Sequence, residues 1–214
     1  MRKSKSETAQ TRQRIVRAAA LAFRSNGIHA TGVAEIMSAA GLTPGGFYRH
    51  FASKEHLIAE ACAAGIESTI DAIDASAQAG EQAFIDHFEA YLWDKNRRNT
   101  LIECPLIAMG SELVRADIET RRAATRGYCE LIGVMASVGE SDEGSAMFAF
   151  SAMLGALTIS RIVDDPELAG RILDETKRRV VGLWPIAPDG QACTDSKDGD
   201  AEKTALIGDI STPM

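Results

Sequence analysis

Residues 31–60 read TGVAEIMSAAGLTPGGFYRHFASKEHLIAE, and the fold follows from this stretch. Val33, Ile36, Met37 and Ala40 recur at three- and four-residue spacing, which gives one helix a buried face. Gly41 tolerates positive φ, Leu42 supplies an apolar plug, and Pro44 suits a first helical turn, where its missing N–H costs nothing. Phe47 and Phe51, one turn apart, give the next helix its own inward face. Thr31 is the expected N-cap of the first of these helices, and Ser53 that of a longer one beginning Lys54-Glu55. Two short helices across a three-residue break form a helix-turn-helix.

Burying Phe47 and Phe51 leaves Thr43, Pro44, Gly45, Gly46, Tyr48, Arg49 and His50 on the faces able to meet DNA. Recognition helices read base edges mainly through N-terminal residues, which here are small and permit close backbone approach. Tyr48, His50 and Lys54 read as phosphate contacts, with Lys54 at a positive helix end. Thr31 offers a further hydroxyl and N–H to the backbone of a duplex. Charge supports the same face. Residues 1–54 hold nine basic groups against Glu7 and Glu35, a charge of +7, while the remainder of this −7 chain carries −14.

Working outward, glycine and proline punctuation implies an all-α chain of about nine helices with no period-two strand pattern. The first helix is expected over 11–25, with Asn26-Gly27 as its left-handed stop. The helix that starts at Lys54 should run to about residue 74, followed by a small polar linker over 75–80. Further helices are expected near 81–97, 103–113, 117–138, 142–163 and 166–182, the last opened by Asp165-Pro166. The expected organisation is a DNA-binding head over 1–54, helix four over 54–74 as connector, a helical body over 75–186, and a mobile tail over 187–214.

The composition excludes several classes. Four scattered cysteines and four histidines form no CxxC, HExxH or other ligand set, so neither a structural metal nor a disulfide framework is expected. No GxSxG, P-loop or dinucleotide fingerprint is present, so no cofactor and no catalytic residues are assigned. The basic N-terminus lacks the apolar stretch of a secretory signal, and no apolar run is read as a membrane span, which makes the cytoplasm the expected location. An all-helical enzyme and a ligand-independent architectural DNA-binding protein are the alternatives.

Residues 31–60 also resemble the DNA-binding signature of the TetR family of repressors. The resemblance rests on Gly45, Tyr48, His50, Phe51, Ser53, Lys54 and Glu55, and covers about residues 11–60. Gly46 beside Gly45 departs from it and leaves a barer recognition helix. The resemblance implies a homodimer on palindromic operator DNA, released when a small molecule enters the C-terminal part.

Within that part, the small-residue-rich helix 142–163 is expected to be buried nearly all round and, with 166–182, to form the dimer seam. Phe84, Phe88, Trp93, Leu106, Met109, Tyr128, Met135 and Phe148 are candidate pocket residues, with Arg122 or Arg126 as the polar anchor. The same aromatic and methionine residues equally suit a plain core. Cys104, near a helix start, reads either as a reactive thiol or as buried filler.

Overall fold

The computed structural model describes residues 5–92, 104–139 and 141–184. Its regular structure is all helical, with no strand among those residues. The elements are α1 (Lys5–Asn26), α2 (Val33–Ala39), a 3-10 helix (Pro44–Arg49), α3 (Lys54–Gln78), α4 (Glu81–Tyr91), α5 (Pro105–Ala108), α6 (Gly110–Leu113), α7 (Ile118–Ala136), α8 (Glu143–Ile162) and α9 (Pro166–Val181). Trp93 and the tail expected over 187–214 lie outside the described residues.

Side-chain caps set several of these boundaries. Ser53 accepts the His56 N–H at 3.1 Å, and Asp165 accepts those of Glu167 and Leu168 at 2.9 and 3.1 Å. Asp117 and Asp142 do the same for α7 and α8. Gly27 and Gly41 adopt φ of +87° and +69°, conformations that end α1 and α2 without the clash a Cβ would bring.

Some boundaries depart from expectation. The expected linker over 75–80 is shorter: α3 continues to Gln78, and the chain turns only at Ala79 and Gly80. The expected helix over 103–113 is broken at Met109 into two four-residue pieces. Between α2 and α3 stands a 3-10 helix in place of an α-helix. Six residues that include Pro44, Gly45 and Gly46 supply little α-propensity, and the Gly46 N–H bonds the carbonyl of Thr43, three residues back.

One continuous buried cluster runs from Ile15 and Phe23 through Phe47, Phe51, Leu57 and Ile66 to Phe84, Met135, Met153 and Trp184. Helix α3 is its axis, packing against α1 at one end and against α4 and α7 along its length. Glycine makes the α3–α7 contact close: a Cβ on Gly127 would lie 2.5 Å from Ile66 Cγ2. On α3 itself, a Cβ on Gly65 would lie 2.6 Å from Pro105 Cγ.

Helix α8 corrects two expectations. By length and composition it is apolar enough to cross a membrane, although its inner face packs on α7 and α9. Nor is it buried nearly all round. Phe148 is 57% exposed, Ile159 49% and Ile162 74%, and they share one face with half-buried Ala152 and Gly155.

Candidate nucleic-acid interface and effector cleft

The 3-10 helix sorts its residues by side. Phe47 and Phe51 are buried with ring centroids 5.6 Å apart, while Tyr48 is 78% exposed and Arg49 exposed beside it. Thr43, Pro44 and Gly45 are exposed at the N-terminal end, and nothing lies within 4 Å of where a Gly45 Cβ would stand. A phosphate or base edge can therefore reach that backbone. Gly46 faces the other way: a Cβ there would meet the Met37 methyl at 3.5 Å, so its small size serves packing on α2. His50 is half-buried, and its carbonyl accepts Arg12 Nε at 3.3 Å.

Thr31 departs from the expected role. Gly32, not Thr31, is the N-cap of α2. Thr31 is 0% exposed, and its hydroxyl donates to the carbonyls of Gly27 at 2.7 Å and Ala22 at 3.3 Å. That hydroxyl is committed to the α1–α2 turn and is not presented to a phosphate. Lys54, read as a phosphate contact, directs Nζ to the Ile28 carbonyl at 2.8 Å. An ammonium has three donors, so this bond orients the lysine without exhausting it.

Several basic residues of the head are structural. Arg12 pairs with Glu60 of α3 and sits 4.4 Å above the Phe51 ring. Arg14 donates to the Ala40 carbonyl at the end of α2. The +7 read from the sequence therefore overstates the charge facing outward. These internal roles carry no local sequence signal, because each partner is 26 to 48 residues away.

In the body, a cleft of about 420 Å³ opens between α5, α6, α7 and α8, within the size range of small-molecule sites. Leu106, Leu113, Val114, Tyr128, Phe150 and Leu154 provide its apolar wall; Arg121, Thr125 and Ser151 are its polar members. Of the candidate pocket residues, Leu106 and Tyr128 are here. Phe84 and Phe88 instead pack on each other and on Trp184, with Met135 fully buried in the same core. Met109 is also buried outside the cleft lining. Phe148 stands on the exposed face of α8, and Arg122 pairs with Glu119 at 2.7 Å on the surface. Arg126 is exposed and likewise absent from the lining. The cleft takes Arg121 and Phe150 in place of Arg122 and Phe148. One residue rotates a helical position by about 100°, and two by about 200°, so sequence pattern alone points to the wrong neighbour.

Cys104 is buried, and burial pushes its thiol upward despite its place at the start of α5. The reactive-thiol reading is thereby corrected: a thiol held protonated and away from solvent is a poor nucleophile.

The profile described as "Bacterial regulatory proteins, tetR family" matches residues 15–61, which span the second half of α1, α2, the 3-10 helix and the start of α3. Residues 15–61 are thus similar to the DNA-binding region of the TetR family. The HTH-type transcriptional regulator AcrR of Shigella flexneri is 42% identical over 59 residues, which are 28% of this chain and 27% of that protein. The match thus spans about a quarter of that relative's length. Likeness of fold extends further. The reduced form of E. coli NemR superposes with a TM-score of 0.69 at 16% identity, covering 83% of this chain and all of that one. A TetR transcriptional regulator from Chloroflexus aurantiacus gives 0.58 at 26% identity, over 83% and 95% of the two chains.

Proposed function

We propose that this chain is a TetR-family regulator: a homodimeric, ligand-responsive repressor, released from a palindromic operator by a small molecule bound in the body. The observation that carries the DNA-binding reading is Tyr48 and Arg49 standing exposed on a short helix anchored from behind by Phe47 and Phe51. A compact three-helix head with no partner has no reason to present an aromatic ring and a guanidinium side by side. Thr43, Pro44 and Gly45 would approach base edges; Tyr48, Arg49, His50 and Lys54 would hold the phosphates.

The cleft is the proposed effector site. Its mostly apolar wall and the Arg121 guanidinium suit an apolar molecule with a polar or anionic end. The dimer would form on the exposed face of α8 together with α9. A ligand-independent architectural role is the second reading, favoured by the hollow among Thr69, Phe88, Cys104 and Met153. At about 10 Å³ it has barely the room for one water.

Gel retardation tests the proposal directly, using the DNA upstream of this gene against unrelated DNA of equal length. Selective retention is expected, and Arg49→Ala should lower it for both DNAs while the variant melts normally. Equal retention of the two fragments would remove the operator-binding reading.

A further inference from the structure

One carboxylate joins the body to the head. Glu112, on α6, accepts the Ile28 N–H at 2.9 Å and the His29 N–H at 3.1 Å, and its Oε1 lies 2.9 Å from His29 Nδ1. These residues are 83 and 84 positions away in the chain and form the turn between α1 and α2. The turn is held from its other side as well. The Ile28 carbonyl accepts Lys54 Nζ, and the Gly27 carbonyl accepts the Thr31 hydroxyl. Gly27 makes the close approach possible: a Cβ there would stand 3.1 Å from Glu112 Oε2. Desolvation acts to raise the Glu112 carboxyl, but the hydrogen bonds from His29 and Ile28 outweigh it and hold the group below the usual range. An ionised acceptor on two backbone N–H groups is a strong, directional tie.

The same short helix lines the cleft. Gly110 and Leu113 stand on either side of Glu112 in α6, and Val114 follows. Helix α6 is four residues long, has no side-chain cap, and is separated from α5 by the break at Met109. Few bonds of its own therefore resist displacement.

We propose that Glu112 is a positioning residue that transmits occupancy of the cleft to the DNA-binding head. The inference rests on the reading of the cleft as the effector site. A molecule seated against Leu113 and Val114 displaces α6, and the carboxylate moves with it. The α1–α2 turn then follows or loses its two amide bonds. In either case α2 and the 3-10 helix, which continue from that turn, change their angle to the body. This path is distinct from a tilt of α3, because it enters the head at its first turn and not at Lys54.

A tethered surrogate tests this without a known ligand. Ala124→Trp projects an indole into the cleft from α7, and Glu112→Gln keeps the side-chain size while removing the charge and one acceptor oxygen. Retention of the upstream DNA is measured for the parent chain, each single variant and the double variant, as a double-mutant cycle. Ala124→Trp should weaken retention about 5–150-fold with Glu112 intact, the ordinary span of allosteric coupling, and less than about twofold in the Glu112→Gln background. Glu112→Asp, which retains the charge, should restore part of the effect. Amide exchange at Ile28 and His29 should quicken in Ala124→Trp, a change that a merely stabilising carboxylate would not show. Equal weakening in both backgrounds overturns the role of Glu112 and leaves the cleft standing. No weakening in either overturns both, and unchanged exchange at the two amides also overturns the inference. If Ala124→Trp fails to fold, Thr125→Trp, exposed at the cleft, takes its place.

Discussion

Under the proposed function, Tyr48 and Lys54 separate two ways in which a residue could serve DNA binding. Tyr48 stands largely exposed, its ring meeting Phe47 edge-on at 5.2 Å, whereas Lys54 ties α3 to the Ile28 carbonyl. Tyr48→Ala should therefore weaken retention of every DNA sequence while leaving the unfolding free energy within about 0.5 kcal/mol of the parent, as surface substitutions usually do. Lys54→Ala should weaken retention and lower stability together, because a hydrogen bond to a charged group is worth about 1.5–3 kcal/mol. Calorimetric melting beside gel retardation reads both, and a stability loss in Tyr48→Ala would show that the ring is structural. Gly27 gives a second test. Its φ of +87° and the Glu112 carboxylate above it make Gly27→Ala strained on two counts. It should cost about 1–2 kcal/mol in urea unfolding. At this scale the exposed Tyr48 and Arg49 were legible, because Phe47 and Phe51 mark the inward side, whereas His50 between them is half-buried. The uses of Arg12, Arg14 and Glu112 were not legible. Their partners are set by how helices pack, which no local spacing encodes.

Two helix starts were legible, since capping chemistry is local: Ser53 and the Asp165-Pro166 pair stand where the sequence puts them, whereas α1 begins at Lys5, ahead of the expected residue 11, and α2 is capped by Gly32 in place of Thr31. The break at Met109 and the 3-10 conformation of Pro44–Arg49 were not read, although the low α-propensity of Pro44, Gly45 and Gly46 is itself local. Asp117 carries a pH prediction. The backbone bond from Thr120 is the largest cause holding its carboxyl below the usual aspartate value. A depressed folded pKa means stabilisation that is complete above the ordinary aspartate pKa and disappears as pH falls through the lower folded value. Asp117→Ala should cost about 0.5–2 kcal/mol at neutral pH, and the gap from the parent should close in acid. Urea melts at pH 7 and in strong acid provide the comparison; a constant gap would mean that the cap does not act through its charge. Gly127 tests the packing of α3 on α7. With Ile66 Cγ2 at 2.5 Å from its would-be Cβ, Gly127→Val should overpack the contact and cost about 1–3 kcal/mol.

For the whole molecule, the outer face of α8 is the feature the isolated chain leaves unexplained. Phe148, Ala152, Gly155, Ile159 and Ile162 fall at spacings of three, four and seven along one side, opposite the buried Ala146, Phe150, Met153 and Leu157. The sequence showed that the helix was apolar all round, but not that only half of that surface would be satisfied within one chain. A face of this kind, adjoining α9, fits the dimer of the proposed function, in which two recognition elements must sit about 34 Å apart to enter successive major grooves. Gly155 allows the question to be put without confusing folding with assembly. Nothing stands within 4 Å of where its Cβ would be, so an arginine side chain there fits the isolated chain and points away from its core. Across a seam of two copies of this helix, the same substitution would bury an unpaired guanidinium on each side, a cost of several kcal/mol that side-chain rearrangement only partly relieves. Gly155→Arg is therefore expected to keep the helical spectrum of the parent, to sediment as a monomer, and to lose cooperative binding to a palindromic fragment. A variant that still sediments as a dimer would move the seam off this face of α8, while leaving the assignment of Tyr48 and Arg49 to DNA untouched.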